Sequence, residues 1–194
     1  MLIDFHTHSN QSDGALSPAD LVARAVERGV SLLAITDHDT VAGYHKAAAQ
    51  AGQGSLHLVP GIEYSCQWSG VTVHIVGLGI DCDHPAMQEG LAILDDARRQ
   101  RGEKIGAVLA KRGFEGGFEA ARAIAGDSQL GRPHFAEWLV REGHVDDHNA
   151  AFDRYLGQGK PGDVKAFWPT MAQVVQWIVA SGGTAVIAHP LKYR

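Results

Sequence analysis

The most constraining feature of this chain is a repeated pattern. Short apolar runs of strand length mostly end in or carry histidines or acids, and helix-length segments separate several of them. Leu2-Ile3-Asp4-Phe5 runs into His6-Thr7-His8. Val30 to Ile35 runs into Thr36-Asp37-His38-Asp39. Leu56 to Val59 leads through Pro60-Gly61 to Ile62-Glu63. Val71 to Leu78 carries His74 inside it, and Thr184 to Ala188 ends at His189-Pro190. Between the first two runs, Ser17-Pro18-Ala19-Asp20 has the composition of a helix start, with Ser at the N-cap and Pro at the first helical position. Gly29 supplies the matching stop. Val41 to Ala51 reads as a second helix closed by Gly52. Strand–helix alternation of this kind predicts an α/β fold with a largely parallel sheet.

Residues 84–180 read differently. His84 to Arg112 is one long amphipathic helix, with Met87, Leu91, Leu94, Ile105, Val108 and Leu109 on its apolar side. Further helices are expected near Glu119–Ala125, Phe135–Arg141, Asn149–Leu156 and from Thr170 to Ala180, with a Pro- and Gly-bearing loop from Lys160 to Trp168. The expectation is an α/β scaffold of residues 1–83 and 181–194, interrupted by a mainly helical insertion, 84–180. The chain runs only four residues past Pro190, so a closed barrel is not completed within it and the sequence reads as cut short.

Composition excludes some functions. With 17 basic and 22 acidic residues, net charge −5, a general polyanion-binding surface is not expected. Two cysteines without CxxC spacing fit a reducing, cytoplasmic setting. The N-terminus has no signal-peptide pattern, and no stretch reaches the roughly 18 apolar residues of a membrane span. Histidine is abundant, at 11 residues.

In an extended segment, residues i and i+2 point the same way, so His6 and His8 can share one metal. Asp13, in the following loop, can add a carboxylate. Mixed imidazole and carboxylate donors suit Mn, Fe or Zn better than Mg or Ca alone. Each residue also has a structural reading. His6-x-His8 fits a surface pair, and Asp37-His38-Asp39 fits a cap for the next helix. Glu63 fits a solvated position after a turn, His74 a hydrogen-bonded core histidine, and His189-Pro190 a plain strand exit. Their joint arrival at strand ends, where α/β sites form, favours a common site.

The elements IDFHTHSNQSDG, LLAITDHDT, PGIEYS, VHIVGLG and VIAHP, in this order, resemble the polymerase and histidinol phosphatase (PHP) superfamily. With RPHFA in a helical insertion, the chain is similar to the bacterial subgroup of 3′,5′-nucleoside bisphosphate phosphatases and 5′-to-3′ exoribonucleases. The resemblance implies a distorted (β/α)7 barrel, with the C-terminal part of the barrel missing from this chain. It implies a hydrolase of phosphate esters with two or three divalent metals, Mn foremost, then Fe, Zn or Mg, and water activated by them.

It also implies ligand sets: His6, His8 and Glu63 for one metal, Asp13 and His38 for a second, and Glu63, His74 and His134 for a third. Arg132 would grip a substrate phosphate. His189 would contact the phosphate or act as general acid, and Lys192 and Tyr193 would line the mouth. The family closes its site with a late Asp-x-His element that this chain does not contain. The implied substrates are nucleotides, such as 3′,5′-bisphosphates or AMP, or the 5′ ends of short RNA. No membrane and no stable protein partner are expected. Histidinol phosphate hydrolysis and a non-catalytic metal-binding domain are the competing readings.

Overall fold

In the computed structural model, residues 1–50, 56–165 and 167–193 are described. The chain divides into two compact units, Met1–Asp95 with Trp168–Arg194, and Asp96–Phe167.

The first unit is built on one sheet. Among the described residues its strands are β1 (Leu2–Thr7), β2 (Val30–Ile35), β3 (His57–Trp68), β4 (Val71–Leu78) and β5 (Thr184–Ile187), in that spatial order. Helices α1 (Pro18–Glu27) and α2 (Ala42–Gln50) connect the first three strands. The Ser17 hydroxyl accepts from the Asp20 N–H to start α1, and Gly29, at φ +74°, ends it. The predicted end of α2 at Ala51-Gly52 lies outside the described residues.

The expected largely parallel sheet is corrected to a mixed one. β1–β2 and β2–β3 are parallel, whereas β3–β4 and β4–β5 are antiparallel. The cause is a two-residue hairpin at Ser69-Gly70, both at positive φ, the geometry that matches the twist of paired antiparallel strands.

A second correction concerns Pro60-Gly61, expected to be a turn. β3 runs straight through it and changes neighbours there. His57 to Pro60 pair with β2, and Gly61 to Trp68 pair with β4. The N–H that proline lacks falls at this handover, where the ladder loses little. Gly61 is needed for close approach: a Cβ there would meet Thr36 Cγ2 at 2.9 Å and the Ile35 carbonyl at 3.2 Å. Glu63 therefore sits inside β3 rather than after a strand.

Helix α3 (Pro85–Ala110) begins in the first unit and ends in the second. In the first unit the sheet is covered by Met87 and Leu94 of α3 and by α7 (Met171–Ala180), which buries Val174 and Ile178. Gly90 of α3 faces the Trp177 ring so closely that a Cβ would collide with it. α7 opens with a reciprocal capping box between Thr170 and Gln173. Thr170→Ala is expected to cost about 1 kcal/mol; a melting temperature equal to that of the parent chain would contradict that role for the cap.

The second unit packs the C-terminal part of α3, α4 (Gly117–Ala125), α5 (Arg132–Arg141) and α6 (His148–Ala151), with a π-helical turn at Phe152–Leu156, around Leu109, Phe135, Leu139 and Leu156.

Candidate metal centre

Glu63 is 1% exposed and stands beyond the carboxyl end of β2. Its backbone is pinned there by segment 37–39. The Glu63 N–H donates to the Asp37 carbonyl at 3.2 Å, and the Asp39 N–H donates to the Glu63 carbonyl at 3.0 Å. Around its carboxylate the sheet gathers five histidines. His6 and His8, from the end of β1, place Nε2 at 3.1 Å from Oε2, and His38 Nδ1 is 3.4 Å from the same oxygen. His74 Nδ1, from within β4, is 3.1 Å from Oε1, and His189 Nε2, after β5, is 3.0 Å from it. Asp13 completes the cluster, 3.5 Å from His8 Nδ1 and 3.6 Å from His38 Nε2.

The five imidazoles form a closed ring in the order His6, His8, His38, His74, His189, with centroids of neighbours 4.7–5.8 Å apart. Burial raises the Glu63 carboxyl, but hydrogen bonds from His74 and His8 and the charges of His38 and His74 outweigh it, and the group is held far below the usual carboxylate range. Burial lowers His8, yet its hydrogen bond to Glu63 and the charges of Glu63, Asp13 and Asp37 leave it raised. His189 ends lowered: burial dominates, Glu63 only partly opposes it, and the charges of His74 and Lys192 add to it.

These residues fit divalent cations. His8 Nδ1 and His189 Nδ1 are buried and make no hydrogen bond among the described residues. Five imidazoles with neighbouring centroids 4.7–5.8 Å apart cannot all carry protons without strong repulsion, and neutral imidazole is a Lewis base. Two groupings, His6/Glu63/His189 and His8/His38/Glu63, bring their donor atoms within 4.8 Å of one another. A carboxylate common to both groupings is the chemistry of a multinuclear site.

Several supporting contacts escaped the sequence reading. Asp37 is buried and, among the described residues, caps no helix. Its Oδ1 accepts from the Ser9 N–H and the Ser12 hydroxyl, each at 2.7 Å, and its Oδ2 accepts from the Ser9 hydroxyl at 2.6 Å. Burial raises its carboxyl, opposed by those bonds. The carboxylate thereby ties down the loop that carries Asp13. Asp39 accepts from the Ser65 N–H at 2.6 Å, fixing the other side of His38. The Tyr193 hydroxyl accepts from the His74 N–H at 2.8 Å, and its ring lies 5.4 Å from that of His189. Only the sequence distance between partners hid these contacts.

Arg132 and His134 belong to the second unit, in the first turn of α5. His134 Nδ1 accepts from the Gly131 N–H at 3.0 Å. Arg132 Nη1 donates to the Leu156 carbonyl at 2.9 Å and lies 3.5 Å from Asp163. Lys192 is exposed, on the turn after His189.

The PHP domain model matches residues 4–180. The chain belongs to the PHP domain family. A 5′-3′ exoribonuclease of Haemophilus influenzae is 44% identical over 98% of this chain and 69% of its own length. A 3′,5′-nucleoside bisphosphate phosphatase of Chromobacterium violaceum is 44% identical over 98% of this chain and 67% of its own length. A structure described as that of a metal-dependent phosphoesterase from Bifidobacterium adolescentis superposes with a TM-score of 0.87 at 27% identity, over 96% of this chain and 66% of that one. This PHP chain is accordingly a hydrolase of the phosphoesterase kind, with a His/Glu cluster suited to divalent metals. No described helix is long and apolar enough to cross a membrane.

The ionisation of Glu63 sets how metal-free protein responds to acid. A depressed folded-state carboxyl contributes stability that is present above the ordinary carboxylate range and lost as pH falls below it. Asp37, raised, acts in the opposite sense, and the larger displacement of Glu63 decides the sign. Chelator-treated protein is therefore expected to lose melting temperature between about pH 5 and pH 3, with a shallower loss in Glu63→Gln. Equal slopes for the two proteins would show that Glu63 is not the group responsible.

Proposed function

We propose that this chain hydrolyses phosphate esters of nucleotides, 3′,5′-nucleoside bisphosphates or the 5′ ends of short RNA, using two or three divalent cations. The observation that carries this is one buried carboxylate, Glu63, ringed by five imidazoles and joined by Asp13. Nucleotide substrates are supported by the two relatives at 44% identity. The finer architecture, a distorted (β/α)7 barrel with 84–180 as a helical insertion, rests on the family.

His6, His8, Asp13, His38, Glu63 and His74 would hold the metals, Mn foremost. Bound divalent cations supply Lewis acidity toward water and phosphate oxygens. The chain's own residues do the rest. Arg132 offers a planar pair of donors to a phosphate. His189, whose Nε2 lies 3.0 Å from Glu63 Oε1, would contact the phosphate or act as general acid. Lys192 adds positive charge beside it. The two buried free cysteines support a reducing cytoplasm.

The test is phosphate release from adenosine 3′,5′-bisphosphate, AMP, histidinol phosphate and a 5′-phosphorylated oligoribonucleotide with added Mn²⁺. Chelator-sensitive turnover of the nucleotides, ahead of histidinol phosphate, is expected. Preference for histidinol phosphate, or metal binding without any turnover, would overturn the nucleotide reading.

A further inference from the structure

The second unit, Asp96–Phe167, holds twelve of the chain's 17 lysines and arginines, although the chain as a whole is acidic. Several of these cations converge on one loop. Arg132 of α5 lies 3.5 Å from Asp163. Arg101 of α3 donates from Nε to the Val164 carbonyl at 2.8 Å. One turn further along α3, Lys104 places Nζ 4.8 Å from the ring centroid of Phe167. Lys160 and Lys165 belong to the loop itself. The acids nearby are engaged: Asp163 also accepts from the Gly159 N–H at 2.9 Å, and Glu103 pairs with Arg99 at 2.6 Å.

Phe167 is 80% exposed. A single exposed apolar side chain needs no explanation. This one differs because it carries an ammonium against its ring and stands at the end of a row of cations. An aromatic face flanked by positive charges matches the alternation of bases and phosphates in single-stranded nucleic acid.

We propose that Phe167 is a stacking platform for a base of single-stranded RNA, with Lys104, Arg101 and Lys165 facing the adjoining phosphates. The proposal rests on the nucleotide reading above and deepens it. It assigns to the second unit a subsite that a chain of several nucleotides fills and a mononucleotide need not. The unit also holds eleven of the chain's 22 acids, which leaves it near neutral at +1 against −6 for the rest of the chain, so the basic row is a local positive strip rather than a basic unit.

The experiment compares two substrates on the metal-loaded protein, a 5′-phosphorylated hexaribonucleotide and adenosine 3′,5′-bisphosphate. It also measures binding of a fluorescent, cleavage-resistant phosphorothioate hexaribonucleotide. Phe167→Ala is expected to weaken hexamer binding about tenfold and to raise the hexamer KM similarly, with Phe167→Trp restoring both. The bisphosphate kcat/KM should stay within about twofold, as a mononucleotide carries no second base to stack. Unchanged hexamer affinity in Phe167→Ala would overturn the platform, and so would an equal loss on both substrates. If the parent chain hydrolyses neither substrate, the nucleotide-hydrolase reading fails. The binding comparison then decides the platform by itself.

Discussion

Glu63→Gln is expected to lower turnover of phosphate esters on the order of a thousandfold while leaving the protein folded. The substitution keeps the shape of the side chain and removes its charge. Every imidazole of the ring meets this one group: His6, His8 and His38 on Oε2, His74 and His189 on Oε1. A neutral amide offers one oxygen and one NH2 in place of two anionic oxygens. Both candidate metal groupings contain Glu63, so both lose their anionic donor together.

Metal content should therefore fall along with kcat, which separates loss of the centre from loss of a proton-transfer group. The backbone hydrogen bonds of Glu63 to Asp37 and Asp39 do not involve the side chain, so the strand should hold its place. Circular dichroism and metal analysis beside the kinetics give the decisive set. Glu63→Gln with full metal content and parent turnover would remove Glu63 from the centre and the metallo-hydrolase reading with it.

What could be read in the chain before folding follows from how local each determinant is. The α1 boundaries were legible because the Ser17 cap, Pro18 and Gly29 act within a few residues of one another. β2 and β4 were legible because they are short apolar runs. The ring of histidines was legible as a pattern because strands present their ends to one rim. Pro60-Gly61 was misleading. That pair usually marks a turn, but here it lies where β3 passes from β2 to β4, a switch that depends on both neighbours. Antiparallel pairing of β4 with β5 was illegible for the same reason, since more than a hundred residues separate the partners. The support of the site was hidden most completely. Asp37 holds Ser9 and Ser12, and Tyr193 holds the His74 backbone, through contacts that no local periodicity records.

Asp37 carries the second large expected effect, this time on stability. Asp37→Ala should lower folding stability by about 3 kcal/mol, since a buried donor left without its acceptor costs about 1–3 kcal/mol and here three lose one. For a chain of this size that corresponds to a fall in melting temperature of roughly 6–12 °C. The alternative role, a cap for α2, predicts only about 1 kcal/mol. Thr40 already serves the start of that helix, its hydroxyl accepting from the Ala42 N–H at 3.1 Å.

The size of the loss thus discriminates between a helix cap and an anchor for the Ser9–Gly14 loop. Metal affinity supplies the second readout. That loop follows His8 and carries Asp13, so releasing it should weaken metal binding by about 10–100-fold, as loss of groups that orient metal ligands does. Gly43→Ala approaches the same anchor from the other side, because a Cβ at Gly43 would collide with Asp37 Oδ2. The two variants should share the phenotype, lower melting temperature with weaker metal binding. A loss of only about 1 kcal/mol in Asp37→Ala with unchanged metal affinity would return Asp37 to the role of a cap.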